Sequence, residues 1–564
     1  MAGAGVTLRS SPSRVIARLE SAAACWAVLA AAMALYGALV LWVGRETTLF
    51  VDEALLFEGS RGLDAEALLT PLNGHLVLAV RAIYATVFEL AGASFVVLQL
   101  IQALAGMVVA GLLFELLRRR VGPPAALAPT LLLLFLGSAW EANFIVSGLT
   151  NTLSIAFGLG ALLALEPGDE KPGQGARDLW ACALLVASVS TWSFGIAVTA
   201  GVAALVFLQP QRARRLWIVA VPLALYGAWR IWLHAGYAPE HGVDTQIEPL
   251  NALLVPNFLA NEAAAVAGAV SGLNFDFNPG DVLAPFSTES AYGAPLAILA
   301  ILLLALRLRR GGARPQLWAL LVALLAFWIA LALTFGPGRS PSTVRYVYPG
   351  AVLVFLLAGE AATGMRPSRT ALLALFAALT LALGANLYRL DQGAGFFREY
   401  ATSLRAELTA LELAVERVDP GFTIEPGLRS VRAGPYLDAV DRNGSPAFTP
   451  DELLAQADEI RTQADAVLAS ALGVGLDPTG QPRGPCDMLS GRAGSLSFEV
   501  ASPESVVRAQ RDGTLALRRF ADTATVPLGE LEADEPMSLD IPSDRSTQPW
   551  QAIVTSPGRV EVCR

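Results

Sequence analysis

The sequence predicts an all-α polytopic membrane protein of about eleven transmembrane helices, followed by an extracytoplasmic α+β domain that contains a small β-sandwich-like module. Three observations predict it. Of 564 residues, 54% are hydrophobic and only 16% charged, with a mean hydropathy of +0.51, whereas a soluble domain carries about 25% charge. The apolar residues gather into runs of near-membrane length. The charge balance changes once: residues 1–388 hold 22 acids and 23 bases, residues 389–564 hold 27 acids and 17 bases. The reading is therefore a transmembrane domain, 1–388, and an outer domain, 389–564, helical over 389–484 and β-rich over 485–564. The apolar content excludes a disordered chain. The net charge of −9 argues against nucleic acid, which requires a basic face.

Residues 22–43 form the first run, close to the ~20 residues that a ~30 Å hydrocarbon core demands. Arg9, Arg14 and Arg18 precede it like a signal-peptide n-region. The run is longer than an h-region and lacks a clean cleavage pattern, so it reads as a retained anchor with a cytoplasmic N-terminus. Further runs lie near 95–117, 124–139, 146–165, 179–192, 195–208, 216–233, 292–306, 317–335, 347–362 and 370–387. The pair 179–192 and 195–208 also reads as one long helix, although Thr191–Trp192–Ser193–Phe194–Gly195 favours a turn. Alternate loops carry Arg118–Arg120, then Lys171 and Arg177, then Arg212, Arg214 and Arg215. The next carry Arg307, Arg309, Arg310 and Arg314, then Arg366 and Arg369. Eleven spans put these loops in the cytoplasm, as the positive-inside rule asks, and residues 389–564 outside. The 39 arginines against one lysine suggest a GC-rich bacterial genome, hence a bacterial plasma membrane.

Two outer loops exceed mere connectors. Residues 44–94 contain Asp52–Glu53, then Pro71-Leu-Asn73-Gly74-His75-Leu, then an apolar stretch broken by Arg81 and Glu89 that suits an interfacial helix. Residues 234–291 hold a second such helix near 250–272. In the outer domain, 396–418 and 451–472 show helical periodicity, with Asp451 and Glu452 in a first turn after Thr449–Pro450. Short β-prone runs follow near 495–500, 514–520, 537–541, 550–555 and 559–563. Cys25 and Cys182 fall in spans and read as inert core. Cys486 and Cys563 fall in the outer domain, where an oxidising compartment makes them a disulfide candidate, with two free thiols the alternative.

Metal, nucleotide and nucleophile-elbow motifs are missing from the sequence. Only His75, His234 and His241 offer histidine chemistry. Asp52 and Glu53 stand in an apolar setting about nine residues after the first span. Adjacent acids there are costly unless paired or used, and partial desolvation makes a better general base. The alternative is a helix N-terminus in which the acids meet the dipole. Glu141, in Trp140–Glu141–Ala142–Asn143 at the outer end of the 124–139 span, faces the same aqueous cavity as Asp52 in the functional reading; in the other it is a solvated loop acid beside an interfacial Trp. Arg339, with Arg345 and Tyr346, is arginine on an arginine-poor side, suited to phosphate or to snorkelling at an aromatic belt. Arg230 and His234 invite the same two readings, with snorkelling favoured.

Taken in order, the retained first span, the Asp-Glu loop, the His-containing segment, the span ending in Arg118–Arg120–Val121–Gly122 and the late Arg345–Tyr346–Val347–Tyr348–Pro349 resemble the GT-C superfamily of membrane glycosyltransferases, over roughly residues 22–390. Protein mannosyltransferases and the lipid A aminoarabinose transferase are its familiar members. The common His-Pro-Pro-Leu is here Asn73-Gly74-His75-Leu76. The resemblance implies transfer, with inversion, of a sugar from a polyprenyl-phosphate sugar to an extracytoplasmic glycan, lipid or protein acceptor. It implies Asp52 as general base, Glu53 as helper or structural partner, Arg345 or Arg339 on the leaving phosphate, and Glu141 and Asn143 lining the pocket. No cofactor is assigned, and a divalent cation is left open. Residues 389–564 resemble no named family. The rival class is a transporter or lipid flippase, which internal repeats and mid-membrane charges would mark; no convincing repeat is found. Eleven spans also exceed what an anchor for a binding module needs.

Overall fold

A computed structural model describes the chain apart from residues 1–20, 61, 167–173, 211, 237–246, 274–291, 337–338, 366, 425–429, 479–483, 491–493, 501–503 and 564. Arg9, Arg14, Arg18, Lys171, His241 and Arg366 lie outside the described residues. The chain divides into two compact units. The first comprises Met1–Arg45, Arg61–Val87 and Phe95–Phe396; the second comprises Glu46–Ser60, Phe88–Ser94 and Phe397–Arg564. This division differs from the composition boundary at 388/389. The helix Arg369–Leu413 runs unbroken through that point for 45 residues, about 67 Å, more than twice the hydrocarbon thickness. The helix expected over 396–418 is its continuation.

Among the described residues, eight helices are long and apolar enough to cross a membrane, nine when Pro123–Leu134 and Gly137–Phe144, bent by 53°, count as one span. Hydropathy alone predicts about eleven. The difference is one of length: Gln174–Val189, Phe194–Phe207 and Gly293–Arg309 have 16, 14 and 17 residues, short of the ~20 a crossing needs. Conversely Pro249–Ser271, read from sequence as interfacial, has 23 residues and the apolarity of a span. The chain does turn at Thr191–Ser193. A Cβ at Gly195 would lie 2.4 Å from the Val189 backbone nitrogen, so only glycine allows so tight a return.

In the second unit a ribbon of β1 (Thr423–Ile424) and β2 (Val431–Arg432) precedes helices Ala433–Asn443, Pro450–Leu454 and Asp458–Ala471. Thr449 and Glu452 close a capping box, each side chain bonding the other's backbone N–H. Nine strands follow: β3 Gly475–Asp477, β4 Cys486–Leu489, β5 Ser495–Glu499, β6 Glu504–Ala509, β7 Gly513–Arg518, β8 Val526–Leu531, β9 Pro536–Asp540, β10 Gln551–Thr555 and β11 Val560–Cys563. They form two antiparallel sheets, ordered β5-β10-β7-β8 and β3-β9-β6-β11-β4. Leu515, Leu517, Ala552 and Val554 bury one face; Val507, Leu539, Val560 and Val562 bury the other. The sequence reading missed β8, which carries Pro527 and Gly529, residues that argue against a strand. They are tolerated because β8 is an edge strand with a register shift opposite Leu515/Ala516. Cys486 and Cys563 face each other in the β4–β11 register and form a disulfide. Cys25 and Cys182 are buried and take no part in the disulfide.

Asp458 latches its helix to the segment before β8. Its carboxylate accepts from the Thr523 hydroxyl and from the backbone N–H groups of Asp522, Thr523 and Ala524. The Thr523 hydroxyl, then the Asp522 N–H, hold this carboxyl well below its usual range. A depressed folded value contributes stability above the unfolded value of about 3.9 and loses it as pH falls below that. The second unit's melting temperature is expected to drop below about pH 4, and Asp458→Asn to flatten that drop. Parallel melting curves of the two proteins from pH 7 to pH 2 provide the check.

Candidate functional site

The acid pair sits in the second unit on a strained turn. Val51 has φ 40° and ψ −94°, a conformation that a β-branched residue adopts at a cost of about 1–3 kcal/mol, and one that concentrates at functional sites. The turn is closed from both sides: Glu53 N–H donates to the Phe50 carbonyl at 2.8 Å, and Phe50 N–H donates to Glu53 Oε2 at 3.0 Å. Glu53 is fully buried, and Asp52, in the first turn of helix Asp52–Glu58, is half-buried. The rest of the segment is stitched into the same unit. Phe50 packs edge-on to Phe397 and Tyr400, and Phe57 packs on Phe88 and Tyr436. Thr48 donates to the Pro446 carbonyl, Arg442 to the Glu58 carbonyl, and Asn443 to the Ser60 hydroxyl. The second unit thus builds the scaffold on which Asp52 is mounted.

In the first unit the bent pair Pro123–Leu134 and Gly137–Phe144 presents Glu141. A break within a membrane helix strips backbone groups of their partners, and these need replacement inside the protein. Buried amides supply it: Gln99 donates to the Phe144 carbonyl, Gln102 to the Ala142 carbonyl, and Asn386 Oδ1 accepts from Gly137 N–H at 2.9 Å. A Cβ at Gly137 would fall 1.9 Å from the Asn386 carbonyl oxygen. Glu141 is buried with its carboxylate 3.6 Å from Arg345 Nε. Arg345 opens the Val344–Ala361 helix, and its side chain is partly exposed. Asn143 is buried, accepting from the Tyr36 hydroxyl at 3.4 Å and donating to the Leu136 carbonyl at 3.3 Å.

Asn73 and Gly74 both have positive φ, 49° and 77°, the type I′ turn that an Asn-Gly pair favours. Leu72 and His75 exchange backbone hydrogen bonds across it. His75 Nδ1 lies 2.7 Å from Ser193 Oγ, in the turn between two helices, and its ring meets Trp192 edge-on. Arg339 donates to the Asn73 carbonyl at 3.4 Å. Arg81, read as interrupting an interfacial helix, points inward: it is buried and donates to the Thr70 and Pro71 carbonyls. Burial draws its guanidinium down to about 10.

Tyr346 is buried, and Arg345, Arg339, Glu262 and Glu141 all lie within electrostatic range of it. The structure does not bring Arg230 into this group. It lies half-buried on the Trp217–His234 helix, over the Trp229 ring and 3.4 Å from His234. Sequence reasoning missed Glu262, Ser193 and the amides Gln99, Gln102 and Asn386. An acid or amide alone in an apolar run was the available signal. Among the described residues one group, Cys486, Glu561 and Cys563, is close enough to share an ion, and its two sulfurs are joined to each other.

No family model matches the chain, and no curated protein matches it. Among solved structures, ArnT from Cupriavidus metallidurans bound to undecaprenyl phosphate is similar at 14% identity and a TM-score of 0.46, over 76% of this chain and 94% of that one. The oligosaccharyltransferase AglB from Archaeoglobus fulgidus is similar at 13% identity and a TM-score of 0.38, over 67% of this chain and 58% of that one. The arabinosyltransferase EmbB from Mycobacterium smegmatis is similar at 12% identity and a TM-score of 0.34, over 98% of this chain and 65% of that one.

Proposed function

We propose that this chain is a membrane glycosyltransferase that moves a sugar from a polyprenyl-phosphate sugar to an extracytoplasmic acceptor with inversion. The observation that carries the reading is the strained Val51 turn, which consumes Glu53 internally and leaves Asp52 half-exposed at the start of a short helix. Asp52 takes the proton of an acceptor hydroxyl while that oxygen attacks the anomeric carbon. The bond from that carbon to the phosphate oxygen breaks, and polyprenyl phosphate leaves with the electron pair. Arg345 stabilises the leaving charge through its guanidinium, with Arg339 beside it. Glu141 orients Arg345. His75 with Ser193, and Asn143 with Tyr36, hold the surrounding segments. The N-terminus is cytoplasmic and the outer domain extracytoplasmic in this reading, in a bacterial plasma membrane.

Arg345→Ala is expected to reduce turnover about 10²–10³-fold, the usual loss for one preorganised charge-stabilising donor. Arg345→Lys should recover only part, because an ammonium lacks the bidentate fork. The test of the whole reading is incubation of the purified protein with a panel of polyprenyl-phosphate sugars, following release of free polyprenyl phosphate. Scrambling of labelled lipid in liposomes with no sugar donor consumed would instead support the transporter class.

A further inference from the structure

Glu412 stands one residue before the end of the helix Arg369–Leu413, in the second unit, and is half-buried. Its Oε1 accepts from the Tyr436 hydroxyl at 2.6 Å and from the Ser445 hydroxyl at 2.7 Å. Both are the short bonds of hydroxyls to a carboxylate, stronger than bonds between neutral groups. Tyr436 is fully buried on the Ala433–Asn443 helix, and Ser445 lies in the loop that follows it. One turn earlier, the Thr409 hydroxyl ties the far end of that loop to the same helix. It donates to the Phe448 carbonyl at 3.1 Å and accepts from the Phe448 N–H at 3.0 Å.

The helix and loop so anchored hold the segment that carries Asp52. The Tyr436 ring packs on Phe57, with centroids 5.9 Å apart. Arg442 donates to the Glu58 carbonyl at 3.2 Å, and Asn443 to the Ser60 hydroxyl at 2.8 Å. The Pro446 carbonyl accepts from the Thr48 hydroxyl at 3.3 Å. Phe57 and Glu58 close the short helix that Asp52 opens, and Thr48 precedes the Val51 turn. The segment is therefore gripped on both sides of Asp52, and the grip is referred back to one carboxylate.

A joint that only fills space needs a phenyl ring at position 436 and no acid. Short hydrogen bonds are directional, so a carboxylate shared by two hydroxyls fixes the angle at which both elements meet the helix. A general base works only within hydrogen-bond reach of the proton it removes, and a misplacement of ~1 Å costs about 10²-fold in rate. We infer that Glu412 is a positioning residue for Asp52: through Tyr436 and Ser445 it holds the base within reach of the acceptor hydroxyl. This rests on the transferase reading above, and it gives the second unit a part in proton removal and none in holding the donor phosphate.

The test uses the full chain in lipid nanodiscs, the polyprenyl-phosphate sugar that the wild type turns over, and two acceptors. Glycerol must lose a proton as its hydroxyl attacks. Azide is an anion that attacks the anomeric carbon without losing one, while polyprenyl phosphate leaves with the bonding pair. With glycerol, release of polyprenyl phosphate should fall about 10–100-fold in Glu412→Gln, and affinity for bare polyprenyl phosphate should stay at the wild-type value. On top of Asp52→Asn the same substitution should cost little more, because the base it positions is gone. With azide, Asp52→Asn and Glu412→Gln should both release near the wild-type rate. Tyr436→Phe and Ser445→Ala each remove one hydroxyl and keep the carboxylate. They should show the same pattern more weakly, and they replace Glu412→Gln if melting temperatures show that it does not fold. Folded variants that release at the wild-type rate with glycerol overturn the inference. So does a Glu412→Gln defect that persists with azide or repeats in full on top of Asp52→Asn, which would make Glu412 a structural joint. In each of these cases release by the wild type still supports the transferase reading. A wild type that releases polyprenyl phosphate from no sugar lipid ends that reading and the inference with it.

Discussion

Asp52→Asn is expected to lower turnover about 10²–10⁴-fold in a protein that still folds, the range that general-base catalysis contributes. The substitution keeps size and most hydrogen bonding but removes the basic lone pair. Asp52 is only half-buried at its helix start, so stability should change by less than the ~0.5–2 kcal/mol of a lost helix cap. Glu53→Gln should show the opposite profile. Its carboxylate is fully buried and accepts the Phe50 N–H at 3.0 Å; weakening that bond beside the strained Val51 should cost about 1–3 kcal/mol of stability. Turnover, donor binding and melting temperature measured on both variants separate the roles. A rate defect in Glu53→Gln larger than in Asp52→Asn would exchange the assignments. Wild-type transfer by a folded double variant would remove this turn from the mechanism.

Arg120→Met is expected to destabilise the first unit by about 3–5 kcal/mol, the cost of leaving a buried charge without its partner. Arg120 is buried at the end of the Phe95–Val121 helix. Its guanidinium bonds Glu360 at 2.6 Å, Glu166 and the Leu116 carbonyl. Glu360 is almost wholly buried and keeps a second partner, Arg314, at 2.6 Å, which holds the loss near the lower end. Removing both members of the central pair should cost less than the two single losses added together, because neither then strands the other, while Glu166 still loses Arg120 and the part-exposed Arg314 loses Glu360. The check is a double-mutant cycle of Arg120→Met and Glu360→Met, read by thermal unfolding in detergent. A single variant that melts with the wild type would make the network incidental to stability.

Hydropathy located the apolar helices to within a few residues, including the turn at Thr191–Ser193 and the helix starting after Thr449, because each depends on residues adjacent in the chain. Five of the nine strands of the two sheets were legible for the same reason. Local sums see apolar runs but not the ends of helices: they give about eleven spans where eight or nine helices among the described residues are long and apolar enough to cross, and an interfacial helix near 250–272 where Pro249–Ser271 has the length and apolarity of a span. They divided the chain at residue 388, although aromatic contacts and hydrogen bonds fold Glu46–Ser60 with the C-terminal unit. In the candidate site, the acids and arginines were readable as charges misplaced in apolar surroundings. Their division of labour was not. Glu53 accepts a bond inside its own turn, Asn143 bonds Tyr36, Arg81 points inward, and Glu262 is buried. The sequence by itself determined where apolar and charged residues fall along the chain, and so the membrane class and the more polar C-terminal region. Only the tertiary structure decided which polar groups are satisfied and which are left to act, because a hydrogen bond between residues 99 and 144, or 137 and 386, depends on a distance in space that no window of sequence contains.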